Sequence, residues 1–245
     1  MTTLDEVIDI AREAAEAVLQ VYATDFEART KEDGSPVTEA DERAQELIVS
    51  QLSSELPIIA EEDASAGSDA PAGSFWLVDP LDGTKEFLSR NGEFTINIAR
   101  IEEGVPVLGV VLAPAKGRLF AAAPGQRPFV EDEDGRREIS VRAVPPEGAT
   151  IVSSRSHGDA DALERFTADR RVAASVSAGS SLKFCLVAEG EADIYPRFGR
   201  TMEWDTAAGH AVVLAAGGSV TDLSGAPLRY GKPGFENPHF IAWGR

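Results

Sequence analysis

Asp79-Pro80-Leu81-Asp82-Gly83-Thr84 is the stretch of this chain that constrains its fold and function most tightly. It places two carboxylates three residues apart and follows them with a Gly-Thr step. The apolar run before it predicts a buried strand, and the residues after it predict a short helix. Mg²⁺ prefers carboxylate and carbonyl oxygens, and phosphates bind N–H groups at a helix N-terminus. Taken alone, the stretch is equally compatible with such a site and with a structural turn in which Asp82 caps the helix.

The composition is that of a globular protein with an acidic surface. The 245 residues, 43% of them apolar, suffice for one large domain or two compact subdomains. The formal net charge of −18 argues against binding to nucleic acid or to an anionic membrane surface, because both require positive potential. Cys185, the single cysteine, excludes an intrachain disulfide. With no signal peptide or membrane span recognised, we expect a cytoplasmic protein, with peripheral association at the inner membrane as an alternative.

The first half of the chain predicts two helices followed by an antiparallel sheet. Glu61 and Glu62 stand at the end of a short predicted strand, and residues 63–74 predict a mobile loop. Helices are predicted over residues 4–21 and from about 38 to before 57, and strands over 58–60, 75–78, 95–99, 105–112, 118–123, 129–130 and 139–141.

The second half predicts alternating strands and helices, which is typical of an α/β unit. Strands are predicted over residues 151–153, 172–176 and 192–195, and helices over 160–167, 182–189 and 206–216. The pattern changes at Pro145-Pro146. We therefore expect an N-terminal α+β subdomain of residues 1–146, with an antiparallel sheet and most of the candidate carboxylates, and a C-terminal α/β subdomain of residues 147–245.

Four carboxylates stand out because each lies where an apolar element ends: Glu61, Asp79, Asp82 and Asp205. Individually, Asp205 is most often a helix N-cap and Glu61 an exposed strand end. Together, four carboxylates balance the charge of about two divalent cations, and the carbonyl of Leu81 offers a further oxygen. The residues alone leave both interpretations open.

Longer segments carry a resemblance to a known family. Ala60-Glu61-Glu62-Asp63, Trp76-Leu77-Val78-Asp79-Pro80-Leu81-Asp82-Gly83-Thr84 and Trp204-Asp205-Thr206-Ala207-Ala208-Gly209 resemble the signature segments of the inositol monophosphatase superfamily. Residues 82–87, 90–95, 154–157, 179–190 and 195–199 are similar to 3′(2′),5′-bisphosphate nucleotidases of the CysQ type. The resemblance implies a layered αβαβα sandwich of the inositol monophosphatase and fructose-1,6-bisphosphatase type. It also implies a lithium-sensitive phosphatase that uses two or three Mg²⁺ ions.

The resemblance also implies roles for the carboxylates and the Gly-Thr step. The expected metal ligands are Glu61, Asp79, the Leu81 carbonyl, Asp82 and Asp205. Glu62 is expected to lie behind the first glutamate of its pair. Thr84 is expected to orient the attacking water together with Asp41, and Glu61 joins these two as a catalytic residue. Substrate phosphate is expected against Leu81, Asp82, Gly83, Thr84 and Asp205, with no covalent intermediate.

Candidate residues for substrate choice lie in the second half of the chain. The resemblance implies that His157 lies against the adenine, that Lys183 and Arg197 bind the phosphate that is not cleaved, and that Ser180 donates to that phosphate or to the ribose. Each of these residues is individually compatible with an ordinary surface role. Arg197 discriminates between branches of the family, because inositol monophosphatases commonly carry an acid at that position.

The resulting hypothesis is an enzyme of sulfur metabolism with a small phosphorylated nucleotide as its ligand. It would hydrolyse 3′-phosphoadenosine 5′-phosphate to AMP and phosphate, and its phosphosulfate analogue is a further candidate substrate. The alternatives are an inositol or sugar phosphate phosphatase, a non-enzymatic metal-dependent binding protein, and an acidic mimic of nucleic acid. Relatives include monomers and homodimers, so the sequence leaves the oligomeric state open.

Overall fold

The computed structural model describes residues 2–30, 36–52, 55–64, 71–155 and 159–245. Within these ranges the helices are α1 (Leu4–Tyr22), α2 (Glu39–Gln51), α3 (Thr84–Leu88), α4 (Ala160–Thr167), α5 (Leu182–Ala188) and α6 (Glu203–Ala215). The strands are β1 (Ala28–Thr30), β2 (Pro36–Thr38), β3 (Ile58–Ala60), β4 (Phe75–Asp82), β5 (Thr95–Glu102), β6 (Val105–Ala113), β7 (Arg118–Ala122), β8 (Phe129–Asp132), β9 (Gly135–Glu138), β10 (Ala149–Ser154), β11 (Val172–Ala178), β12 (Ile194–Arg197), β13 (Ser219–Asp222) and β14 (Phe240–Trp243).

Two large sheets form the framework, and β1 and β2 form a separate antiparallel pair. The first sheet has the order β3-β4-β5-β6-β7-β8-β9 and is antiparallel except for the parallel pair of β3 and β4. The second has the order β11-β10-β12-β14-β13, with β10 parallel to both of its neighbours. Parallel strands need long crossover connections, and those of the second sheet contain α4 and α5.

Helices and sheets alternate in five layers, which confirms the predicted αβαβα sandwich. Trp76 and Val78 of β4 pack with α1 and α2, whereas Phe75 and Leu77 face the opposite side and pack with α5 and α6. The same layer of α5 and α6 contacts the inner face of the second sheet. Leu163 and other apolar residues of α4 cover the outer face of that sheet. Because strand side chains alternate between faces, each buried strand contributes to two layers.

Two glycines allow α6 to approach its neighbours closely. A Cβ at Gly109 of β6 would lie 2.4 Å from the carbonyl oxygen of Ala208, and a Cβ at Gly209 would lie 2.7 Å from Phe184. Real Cβ atoms do not tolerate such distances, so both positions require glycine. The close packing fixes the start of α6, and with it Asp205, over the first sheet.

Several predicted elements differ from the structure in their extent. The strand expected to end at residue 78 continues to Asp82, and residues 139–141 follow β9 rather than forming a strand. The short strands β13 and β14 were not predicted. Part of the loop predicted over residues 63–74 lies outside the described residues. The division at residue 146 stays a prediction, and no helix of the described residues is long and apolar enough to cross a membrane.

Candidate active site

A bulge in β4 presents the first two carboxylates. Asp79 pairs with Asn97 of β5 and Asp82 pairs with Thr95, so the register shifts across Pro80 and Leu81. Proline has no N–H to donate to a ladder, and an irregularity of this kind accommodates it. The Leu81 N–H instead donates to Asp79 Oδ1 at 3.0 Å. The predicted turn is therefore a bulged strand end that holds both carboxylates in place.

Three carboxylates from distant parts of the chain converge at this strand end. Glu61 begins the 3-10 turn Glu61–Asp63 after β3, and Asp205 lies in the first turn of α6. One carboxylate oxygen each of Glu61, Asp79 and Asp205 lie within 4.8 Å of one another. The structure thus brings together three of the four predicted carboxylate ligands around one point.

Burial and mutual repulsion dominate the electrostatics of this cluster. Burial raises the pKa of Asp79 well above its usual range, and repulsion from the other carboxylates raises it further. The pKa of Asp205 is raised for the same two reasons. Burial raises the pKa of Asp82 to about 6, although the Lys183 ammonium acts in the opposite direction. A bound cation would relieve this repulsion.

Asp205 occupies the third position of α6 and takes part in its capping box, rather than being the N-cap residue that its position alone suggests. Met202 is the N-cap residue of α6, and its N–H donates to Asp205 Oδ2 at 2.8 Å. Ser181 Oγ donates to the Asp205 carbonyl at 2.6 Å. These contacts hold Asp205 at the position where its carboxylate meets those of Glu61 and Asp79.

The donor set at this point fits Mg²⁺. All ligands on offer are oxygens, which Mg²⁺ prefers, and their charges repel one another without a cation. Asn97, only 1% exposed, donates to Asp82 Oδ2 at 3.4 Å. Its own Oδ1 is buried and accepts no hydrogen bond from any described residue. A buried carbonyl oxygen of this kind suits the hydration shell of a cation.

Thr84 and Asp41 form the contact that the resemblance implied. Thr38 caps α2, and both its N–H and its hydroxyl donate to Asp41 Oδ2, at 2.8 and 2.7 Å. Thr84 Oγ1 then donates to the other oxygen, Asp41 Oδ1, at 3.3 Å, and lies 3.4 Å from the Leu81 carbonyl oxygen. Asp41 is buried, so the helix capping box holds a carboxylate against the Thr84 hydroxyl.

Gly83 allows the backbone to turn at the start of α3. Its φ of 93° lies in the left-handed region that favours glycine. A Cβ there would lie 3.3 Å from Ser180 Cβ and from the Glu93 carbonyl oxygen, so a larger residue would crowd both. Asp82 is not the cap of this helix, because Gly83 occupies the N-cap position without a side-chain hydrogen bond.

Two cationic side chains lie beside the carboxylates. Lys183 is buried, with its ammonium 5.4 Å from the centre of the Tyr195 ring. Burial lowers the pKa of Lys183 to about 8, with attraction to Asp82 opposing this shift and repulsion from Arg197 adding to it. Arg197 is only 9% exposed and donates to the Arg200 carbonyl at 3.0 Å. The site therefore places two buried cations beside buried and partly exposed carboxylates.

Ser180 and Lys183 also make contacts that the sequence did not predict. Ser180 Oγ donates to the Glu93 carbonyl oxygen at 3.0 Å, and Lys183 Nζ donates to the Ser180 and Ala178 carbonyls at 2.6 and 3.3 Å. Both side chains thus stabilise the turn over residues 179–183.

His157 lies outside the described residues. The sequence did not indicate roles for Asn97, Glu93 or Gln45 at the site. Gln45 Oε1 accepts a hydrogen bond from the Glu62 N–H at 3.0 Å.

The chain belongs to the inositol monophosphatase family, whose family model matches residues 2–241. This confirms the predicted family. Among curated relatives, the 3′(2′),5′-bisphosphate nucleotidase CysQ of Salmonella typhimurium is 48% identical over 245 residues, with 97% of this chain and 98% of the relative covered. The protein of that name from Escherichia coli strain K12 is 47% identical with the same coverage.

Solved structures show the same relationship. CysQ from Bacteroides thetaiotaomicron matches with a TM-score of 0.83 at 38% identity, covering 98% of this chain and 96% of its own. An IMPase from Thermotoga maritima matches with a TM-score of 0.80 at 28% identity, covering 98% and 91% respectively. The predicted fold class is therefore confirmed by comparison as well as by the layer order.

Proposed function

We propose that this protein is an Mg²⁺-dependent 3′(2′),5′-bisphosphate nucleotidase that converts 3′-phosphoadenosine 5′-phosphate to AMP and phosphate. The observation that carries the proposal is the buried pair of Lys183 and Arg197 beside a carboxylate cluster in which Asp79 is buried and Glu61 and Asp205 are partly exposed. A substrate with two phosphates needs a metal site for the one that is cleaved and fixed cations for the other. The near full-length similarity to CysQ nucleotidases supports the same substrate class.

The proposed roles follow from the donor set and the contacts. Glu61, Asp79, Asp82, Asp205 and the Leu81 carbonyl would hold two or three Mg²⁺ ions. When bound, Mg²⁺ supplies charge neutralisation at the phosphate and activation of the attacking water.

Thr84 and Asp41 would orient that water. The Thr84 hydroxyl donates to Asp41 Oδ1, which leaves the lone pairs of Oγ1 to accept a hydrogen bond from water. The backbone N–H groups of Gly83 and Thr84 would meet the phosphate oxygens, since glycine leaves the backbone accessible.

A nucleophilic side chain is not required for this reaction. Burial raises the pKa of the Cys185 thiol well above its usual range, and the thiol packs in the core between the sheets. An inert thiol cannot form a covalent phosphoenzyme. We propose direct attack of water on phosphorus, with residues 1–146 supplying most carboxylates and residues 147–245 supplying Asp205 and the nucleotide contacts.

Reversal of charge at Arg197 tests the proposal. Phosphate release is measured with adenosine 3′,5′-bisphosphate and inositol 1-phosphate for the wild type, Arg197→Glu and Arg200→Glu. Arg200 is the matched control, because its side chain is 61% exposed and pairs with Glu236 at the surface. We expect Arg197→Glu to raise KM for the nucleotide at least tenfold, as the loss of a charge-assisted contact predicts, and Arg200→Glu to leave it near the wild-type value. Faster turnover of inositol 1-phosphate by the wild type would overturn the proposal.

A further inference from the structure

We propose that Glu93 is a positioning residue that sets nucleotide affinity by holding the turn over residues 179–183 against the metal side of the site. The inference rests on the proposed function, since this turn carries Ser180 and Lys183. Glu93 lies just before β5, the strand that pairs with the carboxylate-bearing strand β4. Glu93 therefore lies between the strands that carry the carboxylates and the turn that carries Ser180 and Lys183.

Glu93 forms hydrogen bonds to the turn over residues 179–183 through both its side chain and its backbone. Glu93 Oε2 accepts a hydrogen bond from the Gly179 N–H at 2.9 Å, and its carbonyl oxygen accepts one from Ser180 Oγ at 3.0 Å. A Cβ at Gly179 would lie 2.6 Å from the same carbonyl oxygen. The turn thus packs directly against Glu93, and a residue larger than glycine would not fit at position 179.

Cationic side chains from two other segments of the chain form ion pairs with the Glu93 carboxylate. Arg155 Nε and one of its terminal nitrogens bind the two carboxylate oxygens of Glu93, each at 3.2 Å. Arg155 also donates to the Ser177 carbonyl at 3.1 Å, and Lys116 Nζ lies 3.9 Å from Glu93 Oε1. A bidentate pair with arginine fixes orientation as well as distance. Glu93 is 16% exposed while Arg155 is 49% exposed, so the carboxylate is the less exposed half of the pair.

The position of the turn determines the position of the Lys183 ammonium. Lys183 Nζ donates to the carbonyls of Ser180 and Ala178, and its charge interacts with Asp82. Ser180 itself has a φ of 42°, an uncommon conformation for a residue with a side chain. Strained backbone of this kind persists only where surrounding contacts impose it. Removing the Glu93 contacts therefore releases the turn and displaces the cation from the second phosphate.

Steady-state kinetics of Glu93→Ala, Glu93→Gln and Arg155→Met with adenosine 3′,5′-bisphosphate test this inference. Glu93→Ala loses every side-chain contact, and we expect its KM to rise about tenfold while kcat stays within about threefold. Glu93→Gln keeps an oxygen for the Gly179 N–H and should recover part of the loss. Arg155→Met removes the opposite half of the pair and should shift KM in the same direction. Glu138→Ala, which breaks the exposed pair with Arg127, should behave as the wild type.

Competitive inhibition gives a readout that a general loss of stability would not produce. AMP should bind Glu93→Ala more weakly than the wild type by about tenfold, whereas inorganic phosphate, which needs only the metal side, should bind equally well. An unchanged KM in all three variants, or an equal loss of affinity for AMP and phosphate, would overturn the inference. A wild type without activity on the nucleotide would instead overturn the proposed function.

Discussion

Replacement of Asp79 by asparagine should make the metal-free protein more stable. Asp79 is 1% exposed, and one oxygen of its carboxylate lies within 4.8 Å of those of Glu61 and Asp205. At an effective dielectric constant of about 20, two unit charges about 5 Å apart repel by about 3 kcal/mol. Proton uptake relieves part of this repulsion, because burial and neighbouring carboxylates raise the pKa of Asp79. An asparagine keeps the Oδ1 that accepts from Leu81 N–H, so we expect a net gain of about 2 kcal/mol at pH 8.

Urea unfolding of EDTA-treated protein measures this gain. A carboxylate whose pKa is raised in the folded protein favours folding at low pH and disfavours it as pH rises through the folded pKa. The free energy of unfolding of the wild type should therefore rise as the pH is lowered from 8, and its difference from that of Asp79→Asn should become smaller. Added Mg²⁺ should stabilise the wild type more than the variant, because the variant has lost one ligand charge.

Asp193→Asn is the matched control at a buried aspartate with a cationic partner. Asp193 accepts hydrogen bonds from Arg142 at 2.8 and 3.0 Å and from the Thr150 N–H at 2.6 Å. Burial raises its pKa, but these contacts outweigh burial and hold the pKa below the usual range. We expect a loss of about 2 kcal/mol at pH 8 that disappears as the pH falls below about 4. If Asp79→Asn destabilised the metal-free protein as Asp193→Asn does, the reasoning about the cluster would be refuted.

Two further substitutions separate catalysis from metal binding. Thr84→Val removes the hydroxyl that contacts Asp41, and we expect kcat to fall about 10²-fold with KM little changed; an unaltered kcat would remove Thr84 from the mechanism. Asn97→Leu removes the amide that contacts Asp82, and we expect Mg²⁺ to bind about tenfold more weakly. Two values should therefore rise about tenfold: the Mg²⁺ concentration that gives half-maximal activity, and the concentration that gives half of the Mg²⁺-induced rise in Tm. A change in neither value would show that Asn97 only fills space beside the cluster.

Local patterns in the sequence predicted the elements, because periodicity and capping act over a few residues. The helix over residues 160–167 has the predicted bounds, since Asp159 caps it directly. The bulge in β4 was not predicted, because the sequence of Pro80 and Leu81 is equally compatible with the end of a strand. The pairing register with β5 decides between these outcomes, and register depends on residues far along the chain.

The candidate site could be predicted only through the family resemblance, because its contacts join distant segments. Thr38 and Asp41 form a capping box that the sequence contains, but the contact of Asp41 with Thr84 spans 43 positions. Glu93 and Gly179 are 86 positions apart. No local pattern encodes such distances; the packing of α2 and α3 against the first sheet brings Asp41 to Thr84, and the turn before α5 brings Gly179 to Glu93.

A single-turnover reaction with adenosine 3′,5′-bisphosphate and Mg²⁺ in ¹⁸O-labelled water tests the central claim most directly. Direct attack of water on the 3′-phosphate should give AMP whose 5′-phosphate is intact, with one labelled oxygen in the released phosphate and none in the nucleoside. Release of the 5′-phosphate, or label in the ribose hydroxyl, would contradict the proposed reaction at this site.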